Sequence, residues 1–182
     1  MSGNGTLREP ELAKVFFEPP DDPSEDWHTK VESMFAFVID EPKAPGGRVY
    51  ELDNSPWYVF GVSYKDQVCA EVRHEVFEEP EHAEYDVLYF TKVWKRSGNS
   101  TYTLFLQGGR TSESPDWMTY WEKLRSLGCE RERMNGKLFS VTVPPMADLD
   151  EVEAIFQDAL EKNVFAYQTQ HRFEGTRDAV IN

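Results

Sequence analysis

The sequence predicts an α+β protein: a β-rich half resembling a small open barrel, then a ferredoxin-like βαββαβ half. Three observations predict it. From residue 14 to 99, short runs rich in β-branched and aromatic residues are broken by Pro, Gly, Asn and Ser. Two later segments switch to helical spacing, each opened by a capping residue. From Ser100 onward the elements run strand, helix, strand, strand, helix, strand. The chain then divides into a flexible arm at residues 1–13, a β-rich subdomain at 14–99, an α/β subdomain at 100–174 and a tail at 175–182.

Each element has a local reason. Lys14–Glu18 is a short strand, and the Pro- and Asp-rich segment from Pro19 to Asp26 breaks structure. Val31–Asp40 is apolar enough for a buried strand, and Glu41–Gly47 is a turn. Arg48–Leu52 and Trp57–Val62 read as strands around Asp53-Asn54-Ser55-Pro56, where short polar side chains and a fixed proline φ favour a turn. Tyr64-Lys65-Asp66 re-enters a strand. From Val68 the residues alternate, and Val68–Lys95 forms an extended hairpin across the acidic turn Glu78–Glu84. After the Ser97-Gly98-Asn99-Ser100 turn, Thr101–Leu106 is a strand.

Ser114 is an N-cap with Pro115 at the first helical position, and Trp117, Tyr120, Trp121, Leu124 and Leu127 follow at helical spacing to Gly128. Cys129–Met134 and Lys137–Val143 flank Asn135-Gly136, a type I′ hairpin signal. Asp148 caps a helix with an apolar stripe of Leu149, Val152, Ile155, Phe156, Ala159 and Leu160. Asn163 ends it, and Val164–Phe173 is the last strand. Both helices should lie on one face of a sheet whose middle strands are Thr101–Leu106 and Lys137–Val143, with Trp121 and Phe156 in the core.

Composition bounds the function. Of 182 residues, 40% are hydrophobic and 14% aromatic, enough to bury a core. No run approaches the length of a membrane-spanning helix. The first twenty residues carry Glu9, Glu11 and Glu18 and no apolar core of leader length. With only Cys69 and Cys129 present there is no disulfide framework, and the expected location is cytoplasmic. Asp and Glu number 33 against 19 Lys and Arg, for a net charge of −14. Such a field repels nucleic acid and anionic membrane and draws in a basic protein.

No motif supplies a catalytic set. The sequence lacks GxxxxGK[ST], GxGxxG and GxSxG. His74-Glu75 with His82 lacks the HExxH spacing, and an alternating strand would point His74 away from Glu75. Neither cysteine begins a helix that would lower its pKa. No cofactor, metal ligand or catalytic residue is expected. The aromatics Phe35, Phe37, Trp57, Tyr58, Phe60, Tyr64, Tyr85, Tyr89, Phe90, Trp94, Tyr102 and Phe105 would suit base stacking only with interleaved cations. Lys92, Lys95 and Arg96 are outnumbered nearby by Glu75, Glu78, Glu79, Glu81 and Glu84, so core packing is the reading.

Three stretches resemble a bacterial family of unknown function, DUF4265. They are RVYELDNSPWYVFGVSYKDQVCAEV at Arg48–Val72, RSGNSTYTLFL at Arg96–Leu106, and a tail with LxxLGCxxE followed by VTVPPMADLDEV. The family commonly has histidine in the middle of the second stretch's turn, where this chain has Asn99. The βαββαβ order with its acidic balance is also similar to acidic proteins that inhibit or regulate ribonucleases by protein contact.

Two function classes follow. The first is a protein-binding module, of inhibitor or immunity type, for a basic partner such as a nuclease toxin. Its surface would be Glu71, Glu75, Glu78, Glu79, Glu81, Glu84, Tyr85 and Asp86, with Tyr85 as an anchor. A second acidic cluster is Asp148–Glu153. The second class is a small-ligand or enzymatic site in the cleft between the halves, with Ser55, Tyr58, Ser97, Asn99 and Thr101 as polar contacts.

Overall fold

The computed structural model describes residues 11–18, 32–39, 48–75 and 85–175. The expected breaker at 19–26, the turns at 41–47 and 78–84, most of the arm and all but Gly175 of the tail lie outside the described residues. Among the described residues the fold is mixed α+β, with nine strands in two sheets and two helices.

The first sheet contains β1 (Leu12–Phe17), β2 (Glu32–Ile39), β3 (Arg48–Leu52), β4 (Gln67–Glu75) and β5 (Tyr85–Lys95). Neighbours in sequence pair antiparallel. β1 also pairs in parallel with β5 through Val15↔Leu88 and Phe16↔Tyr89, so the ring of pairings closes. This corrects the expected open arrangement. β1 begins at Leu12, inside the expected arm, and its second edge is satisfied by β5 rather than left to solvent.

The interior of the ring is mostly aliphatic. Val15, Phe17, Met34, Ala36, Leu52, Val68 and Ala70 point inward with Tyr50 and Val62. Most of the expected core aromatics lie elsewhere. Phe35, Phe60, Trp94 and Phe105 are exposed, and of the twelve only Tyr102 is described as buried. A five-strand ring has too narrow an interior for many large rings. Several outer aromatics instead lie under cationic side chains: Lys14 over Phe35 at 5.1 Å, Lys65 over Phe37 at 5.6 Å, and Arg73 over Tyr89 at 4.5 Å.

Two expected strands are absent. Trp57–Val62 is a loop, because the amides of Trp57, Tyr58 and Val59 bond a side chain instead of a neighbouring strand, and Gly61 has φ +78°. Tyr64–Asp66 is a turn, with Lys65 in the left-handed region at φ 63°.

The second sheet contains β6 (Ser100–Leu106), β7 (Glu130–Arg133), β8 (Leu138–Val143) and β9 (Phe165–His171), in the order β7-β8-β6-β9 and antiparallel throughout. The helices are α1 (Pro115–Ser126) and α2 (Leu149–Glu161). As expected, β6 and β8 are central, and β8 is buried along its length while β7 is not. Both helices cover one face. Trp117, Tyr120, Trp121 and Leu124 of α1 join Val152, Phe156 and Ala159 of α2 against Tyr102, Leu104, Phe139, Val141 and Phe165. The Trp117 ring lies 4.8 Å from Phe139 and meets Phe165 edge-on at 5.7 Å.

The caps differ in kind. Asp148 accepts from the amides of Asp150 and Glu151, whereas the Ser114 hydroxyl accepts from Thr111 and makes no cap bond. The β7–β8 connection is not type I′, since that turn needs positive φ and neither Asn135 nor Gly136 has it. Asn135 Oδ1 instead accepts from the amides of Lys137 and Leu138 at 2.8 and 3.0 Å, an Asx-type turn.

Candidate functional site

The face of the second sheet opposite the helices is lined with hydroxyls. In β6 it presents Thr101 and Thr103, in β8 Ser140 and Thr142, and β9 adds Gln170. The β3–β4 loop lies on it. Ser55 Oγ and Thr142 Oγ1 are 2.6 Å apart, as are Ser63 Oγ and Thr101 Oγ1. Ser140 donates to the Pro56 carbonyl at 2.8 Å. Thr103 and Gln170 both donate to the Trp57 carbonyl, at 3.0 and 3.1 Å. The two halves are therefore joined by directional bonds in a buried seam.

Three carboxylates hold the loop's amides. Glu32, on β2 and 8% exposed, accepts from the amides of Trp57, Tyr58 and Val59 at 2.8, 2.9 and 2.9 Å. Burial pushes its carboxyl up, against the lowering effect of those three bonds. Glu132, on the face of β7 that meets the loop, accepts from Ser55 N at 2.8 Å, and its carboxyl too is raised, chiefly by burial. Asp66 is fully buried. It accepts from the amides of Ser63 and Ser97 and from the Ser97 hydroxyl, and it pairs with Arg96 at 2.8 Å.

The residues expected to contact a small ligand lie in or near this seam. Ser55 and Thr101 are 2% and 0% exposed, and both hydroxyls are bonded within the chain. Ser97 is bound to Asp66, and Asn99 Nδ2 donates to the Tyr64 carbonyl at 2.8 Å. Tyr58 stands apart, with its hydroxyl on Met134 Sδ at 3.3 Å. A surface cleft of about 460 Å³ opens beside Ser97, lined by Lys65, Lys95, Arg96 and Phe173.

His171, which sequence reasoning did not single out, has a buried Nε2 with no hydrogen-bond partner. Its pKa is lowered first by burial and then by Arg96, with Asp66 opposing. Alternation was the signal that would have found the seam. Thr101 and Thr103, like Ser140 and Thr142, recur every second residue on central strands whose other face the helices cover. A hydroxyl-lined face in that position needs a polar cover.

The acidic stretch lies at the far end of the β4–β5 ladder. The register pairs Glu71 with Tyr89, His74 with Asp86 and Glu75 with Tyr85, which brings both flanks of the stretch together. Glu71 is exposed and pairs with Arg73, which also reaches Glu18. Val72 is 61% exposed on the same strand. Glu78, Glu79, Glu81 and Glu84 lie outside the described residues. In the second acidic cluster, Glu153 takes bonds from Tyr102 Oη and Arg172, and its carboxyl is lowered by the Arg172 bond.

Among the described residues no group of three or more His, Cys, Asp or Glu is placed to hold a metal ion. Both cysteines are buried, and burial pushes the Cys129 thiol up to about 12, away from thiolate chemistry. No helix among the described residues is long and apolar enough to cross a membrane.

Among solved structures, the chain is similar to a hypothetical protein from Neisseria gonorrhoeae. The TM-score is 0.61 at 15% identity, over 91% of this chain and 98% of that one, a likeness of fold. No curated protein matches the chain. A family model described as a domain of unknown function, DUF4265, matches residues 41–167, more than half of the sequence, and the chain belongs to that family.

Proposed function

We propose that this protein is an acidic, cytoplasmic binding module that captures a basic protein, in the manner of an inhibitor or immunity protein that neutralises a nuclease toxin. In this reading its closed ring of strands is a small barrel and its C-terminal half is ferredoxin-like. One observation carries the functional reading. The β4–β5 register gathers the two flanks of the stretch from Glu71 to Asp86 onto one hairpin end. That stretch carries seven carboxylates, Glu71, Glu75, Glu78, Glu79, Glu81, Glu84 and Asp86, against Arg73. A concentrated negative end on a chain of net charge −14 speeds encounter with a basic surface and sets its register. The exposed Val72 beside it offers apolar contact area within the charged surround.

The test is capture from native lysate by the immobilised protein, beside a variant carrying E78Q, E79Q, E81Q and E84Q. A basic protein should be retained at low salt by the native chain alone and released at high salt. Retention by both chains, or of no basic protein at either salt, overturns the reading.

A second reading is a small-ligand site at the junction of the halves, favoured by the cleft beside Ser97, where Lys65, Lys95 and Arg96 gather. Ser55 and Thr101 have no part in it, since their hydroxyls are buried and bonded. A thermal-shift screen with anionic metabolites should raise the melting temperature of the native chain and not that of Lys95→Ala, which removes a cation lining the cleft. No shift for any of them removes this reading.

A further inference from the structure

Arginine pairing in this protein is uneven. Arg48, Arg73, Arg96, Arg110, Arg125 and Arg172 are each ion-paired with a carboxylate. Arg131 and Arg133 are the two described arginines with no carboxylate partner, although acids outnumber bases 33 to 19 in the chain. They stand two residues apart on β7, and both line a single cleft of about 420 Å³ beside the start of α1. Two-residue spacing on a strand puts both on one face, while Glu132 between them faces the seam and holds Ser55.

The Arg131 guanidinium is fixed in place. Its Cζ lies 4.4 Å from the Trp121 ring and 5.4 Å from those of Trp117 and Phe139. Its Nη1 is buried with no hydrogen-bond partner. No hydrogen-bond acceptor meets that atom, and the three ring faces are what offset the guanidinium charge there. Arg133 Nη1 donates to Ser112 Oγ at 3.4 Å in the same cleft. The cleft thus offers two guanidinium forks and a hydroxyl, against one carboxylate, Glu113.

We propose that this cleft binds a phosphoryl group, with Arg131 and Arg133 as its ligands. A phosphoryl group, with three terminal oxygens and up to two negative charges, matches two guanidinium charges better than a singly charged carboxylate with two oxygens. The stacked aromatics pre-order Arg131, so little side-chain freedom is lost on binding. The site shares no residue with the acidic hairpin, and the two readings stand or fall separately.

The experiment is calorimetric titration of the full chain with inorganic phosphate and, separately, phenyl phosphate, with acetate as control. Tryptophan fluorescence is followed in parallel, because Trp117 and Trp121 lie under Arg131. Saturable binding of either phosphoryl probe is expected, weaker by about tenfold or more in Arg133→Gln and in Arg131→Lys. Comparable affinity for both probes marks a site for the phosphoryl group alone, and tighter phenyl phosphate marks a phosphorylated small molecule. Glu113→Gln, which removes the one opposing charge, should bind several-fold more tightly. Thermal melts without ligand establish that each variant is folded. No binding of either probe by the folded native chain, acetate binding as tight as phosphate, or unchanged affinity in folded Arg133→Gln and Arg131→Lys overturns the proposal.

Discussion

Along β8, Phe139, Val141 and Val143 face the two helices, while Ser140 and Thr142 face the β3–β4 loop. Along β6, Tyr102, Leu104 and Leu106 alternate in the same way with Thr101 and Thr103. One sheet therefore has two covers of different physics. The helix side is held by burial of apolar area, which is large and tolerant of angle. The loop side is held by hydroxyl, amide and carboxylate pairs, each smaller in net effect but fixed in direction. The first keeps the C-terminal half folded, and the second sets how the N-terminal ring is mounted on it.

The largest expected effect is on the apolar side. Phe156 is fully buried, with its ring edge-on to Tyr102 at 5.0 Å and to Phe165 at 5.9 Å. Phe156→Ala should cost about 3–5 kcal/mol of stability, read from the denaturant midpoint. A loss below about 1 kcal/mol would mean that the helix face is not the main hydrophobic core.

Glu32 comes next. Glu32→Gln removes the charge that three loop amides share and should cost about 1–3 kcal/mol. Its pH dependence is specific. The folded-state carboxyl is raised, so the folded protein takes up this proton before the unfolded chain as the pH falls. The Glu32 contribution therefore strengthens on going down towards the ordinary glutamate range and weakens as the pH rises through the folded value. Gln has no proton to take up, so the stability gap between native and Glu32→Gln should be wider near about pH 5 than at about pH 7. Denaturant titrations at the two values check it, and a gap that narrows on acidification contradicts the assignment.

The helix side was legible in the sequence and the loop side only in part. Ser114-Pro115, Asp148, Gly128 and the stripes through Trp117–Leu124 and Val152–Ala159 act within a few residues of themselves, and they delimit the helices nearly as observed. The β4–β5 hairpin was legible too, but not its register, which shifts between Gln67 and Val68 and between Cys69 and Ala70 and leaves Cys69 buried and Val72 exposed. Trp57–Val62 misled because its amide partner is a carboxylate on β2, 25 to 27 residues away, which no local pattern reveals. Ser55 and Thr101 were singled out for their chemistry, and their partners proved to be Thr142 and Ser63. The ring of Arg131 contacts was likewise invisible, because it joins an edge strand to a helix and to β8.

A smaller effect separates the two covers more finely. Thr103 donates to the Trp57 carbonyl and is 0% exposed. Thr103→Val keeps the shape and removes the hydroxyl, and should cost about 1–2 kcal/mol in the same denaturant assay. Gln170 Nε2, which also reaches the Trp57 carbonyl, keeps the loss from being larger. An unchanged midpoint would show that Gln170 alone suffices to hold the Trp57 carbonyl.

The smallest net effect is the most informative about the seam. Ser55 and Thr142 meet hydroxyl to hydroxyl at 2.6 Å, and both are buried. Ser55→Ala leaves Thr142 without this partner, and Thr142→Val leaves Ser55 without it, so each single change should cost about 1–2 kcal/mol. The double variant leaves neither hydroxyl behind and places two apolar groups in contact, so it should cost less than the sum of the singles. The expected coupling is about 0.5–2 kcal/mol from the four denaturant midpoints. On the helix side no such cancellation exists, since two truncations there enlarge the unfilled volume together. Strict additivity for Ser55→Ala with Thr142→Val would mean that the pair contributes nothing as a pair. Ser55 would then be held through its amide on Glu132, and its hydroxyl contact with Thr142 would only fill space.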